Sequence, residues 1–243
     1  MQSEFDGRGI VVTGGTGALG SAVVARLIGL GATCFVPYED EKELAKFDLR
    51  AHPSVRLAGP FDLSAEAAVR SFYDGLGSIW ASVHTAGGFA YAPIDQTGEA
   101  ELGFMLRKNA MTAFLCCRES VRQMRKGRGP GPSGDAIGGR IVNVAARPAL
   151  EWRQGANMTA YTMSKSAVAA LTEALGEEVA VEGILVNAVA PSIMDTRANR
   201  RAMPDADFTK WATLDDVSRT VVWLASPSNT VTRGAVVPVY GKS

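Results

Sequence analysis

Arg8-Gly-Ile-Val-Val-Thr13, followed by Gly14-Gly15-Thr16-Gly17-Ala18-Leu19-Gly20, is the stretch that decides the fold. Arg8 to Thr13 reads as a short buried strand, and Ala18 to Leu30 as a helix with one apolar stripe. Between them Gly15, Gly17 and Gly20 match G-x-G-x-x-G, placed after a strand and opening a helix. The glycines permit a tight turn and a close approach of pyrophosphate, and exposed amides at the helix start bind the anion. All of Gly14, Gly15, Thr16, Gly17, Ala18, Leu19 and Gly20 are therefore candidate cofactor contacts. A second strand, Ala32 to Pro37, ends in Tyr38-Glu39-Asp40. An acid about 20 residues past the glycines is expected to bond the adenosine ribose and repel a 2′-phosphate. With no Arg or Lys in the glycine loop or directly after the strand, the reading is NAD(P)H with NADH slightly favoured. The plainer alternative is that these acids cap the next helix.

The rest of the chain alternates strand and helix. Helices are expected at 40–48, 64–76, 98–126, 158–181 and 213–225. Strands are expected at Val55–Leu57, Ile79–His84, Arg140–Ala145, Ile184–Ala188 and Ala235–Val239. Repeated βα units demand a parallel sheet covered on both faces, hence an α/β Rossmann-type three-layer sandwich, doubly wound, of about seven strands. No composition break marks a second domain, so residues 1–243 form one; Gly127–Gly139, rich in Gly and Pro, reads as a mobile surface loop. Hydrophobic content of 47% suits a large core, while zero net charge argues against nucleic acid or an anionic membrane as partner. No apolar run approaches a membrane span, and the first strand starts too early for a signal peptide. Cys116 and Cys117 adjoin on an apolar helix face, which reads as buried thiols in a reducing, cytoplasmic setting. His52 and His84 have no ligand-spaced partner, so no metal site is expected.

Tyr161 and Lys165, in Tyr-Thr-Met-Ser-Lys, lie four residues apart on one helix face. A fixed ammonium beside a phenol is expected to lower the phenol pKa toward the working range. Such a group exchanges a proton with an oxygen or nitrogen while a hydride moves at the neighbouring atom.

With these motifs the chain resembles a short-chain dehydrogenase/reductase nearly end to end. The resemblance implies that Asp62-Leu63 contacts adenine and that Thr85-Ala86-Gly87-Gly88 stands where the family has Asn-Asn-Ala-Gly. It implies that Asn109 holds a water in the proton relay to Lys165. Pro191, Ser192, Ile193 and Thr196 resemble the segment covering the nicotinamide, with Thr196 reaching its carboxamide or phosphate. Residues 191–212 would then be a substrate lid. Family members pair through the helices at 98–126 and 158–181, implying a homodimer or homotetramer; extra core packing is the alternative for those apolar faces.

Three departures stand out. Ala18 takes the sixth place of the family's Thr-Gly-x-x-x-Gly-x-Gly loop, and His84 and Thr85 replace two asparagines. Ala146 falls where the family's catalytic serine steadies a carbonyl, a loss comparable to one oxyanion donor, on the order of 10²-fold. The dihydropteridine reductases lack that serine, their quinonoid dihydropterin being electron-poor enough for Tyr and Lys alone. This chain resembles them at Gly14–Gly20, at Ala86-Gly87-Gly88, at 145–150 and in the run Asp195 to Trp211. That run has an equally plain reading as a packing motif. Arg147 is a candidate substrate donor or a solvated loop side chain; Thr159 and Asn157 are candidate substitutes or helix caps. Trp152, Phe89 and Tyr91 suit a flat aromatic substrate or serve as packing anchors, whereas Trp80 and Trp223 read as core. The resulting expectation is a reductase of a dihydropterin-like small molecule. A 3-oxoacyl-thioester or other carbonyl reductase, and a nucleotide-binding redox sensor with little turnover, remain as alternatives.

Overall fold

The computed structural model describes residues 3–127 and 138–242. Seven strands form one parallel sheet: β1 (Gly9–Thr13), β2 (Thr33–Pro37), β3 (Val55–Ala58), β4 (Ala81–His84), β5 (Gly139–Val144), β6 (Ile184–Pro191) and β7 (Val236–Val239). Their order across the sheet is β3-β2-β1-β4-β5-β6-β7. Between them run α1 (Ala18–Gly29), α2 (Glu41–Leu44), α3 (Glu66–Asp74), α4 (Glu99–Met105), α5 (Thr112–Gly127), α6 (Arg147–Leu150), α7 (Thr159–Glu178), α8 (Arg197–Ala202) and α9 (Leu214–Ala225).

Side-chain alternation explains the three layers. Ile10 and Val12 of β1 join α1 and α9 residues such as Val23, Leu27 and Val221 in one core cluster. Val11, between them, points the other way into a second cluster with Phe72 of α3 and Leu115 and Met124 of α5. Strands buried on both faces read as unbroken apolar runs, which is how β1 appeared. The expected doubly wound sandwich is the fold found.

Chain order reverses between β1 and β4. Thr13 pairs with His84, and His84 with Asn143, so the loops after β1, β4 and β5 open side by side at the carboxyl edge. A crevice at that switch point is where this architecture binds ligands.

Five expectations need correcting. The helix expected at 98–126 is interrupted by a π turn over Leu106–Met111. Arg147 lies not in a loop but at the start of α6, with Pro148 fixing the first turn. Trp223 is no core residue, being 49% exposed, because Val217, Val221, Val222, Leu224 and Ala225 fill the inward side of α9. Trp80 is half-buried, with Arg8 and Arg140 over its ring. The helix expected at 40–48 shortens to the single turn α2. Of the Gly/Pro loop expected at 127–139, residues 128–137 lie outside the described residues.

Candidate active site

The glycine turn is built for close approach. Gly14 has φ +65°, and a Cβ there would fall 2.6 Å from the Ala86 amide nitrogen. A Cβ on Gly20 would collide with the Gly14 carbonyl. Gly17 differs: its nearest neighbour would be the Gly14 oxygen at 3.3 Å, so a side chain there would project into open crevice. No side chain caps α1 at Gly17. Its first-turn amides are thus available to an anion.

A crevice of about 270 Å³ opens in front of this turn. It brings together Gly14, Thr16, Gly17, Tyr38, Asp62, Leu63, Ala86, Gly87 and Gly88 from the expected set. Gly15, Ala18, Leu19 and Gly20 are not in its lining; Gly15 and Gly20 pack closely behind the turn, and Ala18 is exposed. Asp62 feels opposing effects: burial pushes its carboxyl up, while the Ser64 amide and hydroxyl and the Lys108 ammonium outweigh that and hold it low. The donor set fits a dinucleotide, with a bare amide turn for phosphates and acids at the ribose end.

The proposed chemistry lies next to that crevice. Asn109 sits inside the π turn, which pushes one residue out of the regular helix and is a frequent feature of functional sites. Its Oδ1 accepts from the Gly88 amide at 3.0 Å, and its Nδ2 donates to the Gly88 carbonyl at 3.1 Å and Ser164 Oγ at 2.9 Å. Lys165 Nζ, on α7, donates to the Val144 carbonyl at 2.7 Å. A Cβ built on Gly87 would lie 3.3 Å from that Nζ and close against Asn109 Oδ1, so amide and ammonium converge under one glycine. Tyr161, one turn earlier on α7, meets the edge of Phe89 with ring centroids 4.9 Å apart.

Burial, not mutual charge, governs this dyad. Tyr161 is pushed up to about 12 by desolvation, contrary to the expected lowering. Lys165 is pulled down to about 8 by the same cause. Lys165 is buried and Tyr161 half-buried, and the ammonium bonds a carbonyl, so the penalty for charge exceeds any help one gives the other.

Other expected site residues are engaged elsewhere. Ala146 is buried at the head of α6. Arg147, half-buried, bonds Glu151 at 2.9 Å and lies over the Tyr240 ring at 4.7 Å. Trp152 is 74% exposed and, with Thr159, lines a separate groove beside α7 that Tyr161 does not line. Asn157 holds the loop of Tyr91 through Ala92, from a left-handed backbone at φ +60°. Pro191 ends β6, and Ser192 follows, its amide reaching the Val239 carbonyl at 3.3 Å. Ile193 is partly exposed, and Thr196 caps α8 by accepting from the Asn199 amide. None of Pro191, Ser192, Ile193 and Thr196 lines the crevice. The run from Asp195 to Trp211 is knit to itself by the Arg200–Asp195 pair and the Phe208–Trp211 ring contact.

Sequence reasoning missed Lys108, Ser164 and Glu43, all at this site. Lys108 directly precedes Asn109, so placing that asparagine already placed a cation near the crevice.

A glycine-turned nucleotide crevice at the switch point of a parallel sheet, with Tyr and Lys beside it, defines a Rossmann-type oxidoreductase. The description "short chain dehydrogenase" matches residues 8–207, and the chain belongs to that family. It is 28% identical to the 2,3-dihydroxy-2,3-dihydro-p-cumate dehydrogenase of Pseudomonas putida, over 98% of this chain and 95% of that one. It is 30% identical to the galactitol 2-dehydrogenase of Rhizobium johnstonii, covering 97% and 95%. The gluconate 5-dehydrogenase of Burkholderia cenocepacia, solved with NADP and tartrate, superposes with a TM-score of 0.84 at 24% identity, covering 99% and 96%. Among the described residues no helix is long and apolar enough to cross a membrane, and no cluster of three His, Cys, Asp or Glu could hold a metal.

Proposed function

We propose that this oxidoreductase reduces an activated C=N or quinonoid acceptor of dihydropterin type, using NADH or NADPH in the crevice at β1 and β4. The coenzyme supplies the hydride. Tyr161, kept protonated by burial, donates a proton to the acceptor atom. Lys165 holds the nicotinamide ribose and keeps a positive charge beside the site, and Asn109 fixes Gly88 and maintains the proton path. Pro191, Ile193 and Thr196 would cover the nicotinamide within a lid of residues 191–212. Ala146, Arg147, Trp152 and Ser192 would border the acceptor.

One observation carries the choice of substrate class. Ala146 offers a methyl where a hydroxyl would steady a carbonyl, and the substitutes considered, Arg147 and Thr159, are turned to Glu151 and to the separate groove. An acceptor that needs no such help suits this site; an ordinary ketone would react more slowly, on the order of 10²-fold. A second reading, reduction of a carbonyl or oxidation of an alcohol, draws support from the names of the relatives, which include a galactitol dehydrogenase.

The test is loss of nicotinamide absorbance with quinonoid dihydrobiopterin or an acetoacetyl thioester as acceptor. Pterin turnover that Tyr161→Phe lowers by at least ~10²-fold supports the proposal. Turnover of the thioester alone moves the assignment to carbonyl reduction. Tight coenzyme binding with no turnover favours a redox sensor.

A further inference from the structure

Lys108 lies on the π turn beside Asn109, and its ammonium bonds both carboxylate oxygens of Glu39, at 2.6 and 2.5 Å. Asp62 stands 3.8 Å from the same nitrogen. Glu39 follows β2, Asp62 follows β3, and Lys108 belongs to the helical wall opposite, so the pair spans the crevice from side to side. Among the described residues, Lys108 is the one cation in the crevice lining, which also holds Glu39, Glu43 and Asp62. The acids alone would repel a phosphate. A lone Glu39 would favour NADH, because its carboxylate suits a ribose hydroxyl and opposes a 2′-phosphate. Here that carboxylate is already neutralised.

We infer that Lys108 sets coenzyme choice, offsetting Glu39 and binding the 2′-phosphate, so that the crevice takes NADPH as well as NADH. The inference rests on the crevice being the dinucleotide site. Lys108 is 25% and Glu39 50% exposed, and so wet a pair opens at little cost, leaving the ammonium free to swing onto a phosphate. The flexible four-carbon stem suits that movement. Glu39, released, bonds the ribose hydroxyl when NADH binds.

The test measures dissociation constants of NADH and NADPH by quenching of intrinsic tryptophan fluorescence, with calorimetry as a check. Wild type, Lys108→Met, Lys108→Arg and Glu39→Gln are compared at low and high salt, after circular dichroism verifies folding. The expected result is wild-type affinities within about tenfold of each other, and a loss of NADPH affinity of at least ~30-fold in K108M with NADH changed less than ~3-fold. K108R should retain NADPH binding, E39Q should tighten it, and salt should weaken NADPH more than NADH. Equal weakening of both coenzymes in K108M, or unchanged NADPH affinity, overturns the role of Lys108 while leaving the crevice as the dinucleotide site. Wild-type protein that binds neither coenzyme overturns the site assignment and this inference together.

Discussion

Lys165 shows what a buried ammonium costs the fold. Its ammonium is buried, and its pKa near 8 lies below the ordinary lysine value of about 10.4. Because the folded pKa is lowered, the penalty is fully present below pH 8 and is relieved as pH rises from 8 toward 10.4. A gap of that size corresponds to about 3 kcal/mol, and the bond to Val144 returns roughly 1 kcal/mol. Lys165→Met is therefore expected to raise the melting temperature by a few degrees at pH 7, while turnover falls by ~10²-fold or more. A melting scan beside an activity assay checks both, and a variant less stable than wild type would contradict the burial argument. In the parent enzyme the reduction rate should decline above about pH 8, where Lys165 loses its charge and the Tyr161 phenol is still intact.

At the scale of elements, β4 and β5 are locked by a buried polar chain. The Tyr73 hydroxyl meets Ser82 Oγ at 2.9 Å, Ser82 meets His84 Nε2 at 2.8 Å, and His84 Nδ1 meets Asn143 Oδ1 at 2.8 Å. Asn143 continues to Thr172 on α7, with Cys117 Sγ alongside. With Nδ1 donating and Nε2 accepting, a neutral imidazole satisfies every partner, and burial pulls its pKa down to about 4. The unfolded chain, at about 6.5, binds the proton more readily, so stability should fall as pH drops from 6.5 toward 4, by roughly 2–3 kcal/mol at pH 4.5. Urea unfolding at pH 7 and 4.5 measures this, and His84→Asn should flatten the acid limb; an unchanged slope would exclude His84 as its source. This chain of bonds was not legible in the sequence, which showed only that two asparagines were missing. β1, the glycine turn and α1 were legible, because alternation and the glycine spacing are local properties. The π turn was not, since one extra residue leaves the apolar period of a long helix almost unchanged. Nor was α6, four residues opened by a proline and too short for any period. The raised Tyr161 pKa was hidden for another reason: spacing shows that phenol and ammonium are near, but not how much of each is withdrawn from water.

The whole molecule leaves apolar surface that one copy does not cover. Met111 and Phe114 stand three residues apart on the π turn and α5, about half exposed, and Met163 on α7 is exposed to the same degree. Trp152, at 74%, adds an indole at the rim of the groove beside α7. Inward neighbours on those helices, including Leu115, Cys116, Val168 and Ala169, already fill the core. Extra core packing therefore does not account for the outward row. Scattered singly, such residues would need no explanation, but three large ones on the helical stretches at 98–126 and 158–181, with Trp152 just before α7, suit a self-association face. A stable interface of this kind buries ~800 Å² per partner and centres on large apolar side chains. Light scattering on the purified protein should give a dimer or tetramer mass at micromolar concentration. Phe114→Glu combined with Met163→Glu should shift it to a monomer, because each copy would then have to desolvate two carboxylates to associate. Neither side chain lines the coenzyme crevice, so NADH affinity in the double variant should stay within about threefold of wild type. A wild-type monomer at those concentrations, or an unchanged mass in the double variant, would refute this face as the seam. A large loss of NADH affinity on dissociation would instead mean that association across α5 and α7 holds the π turn, and with it Asn109, in place.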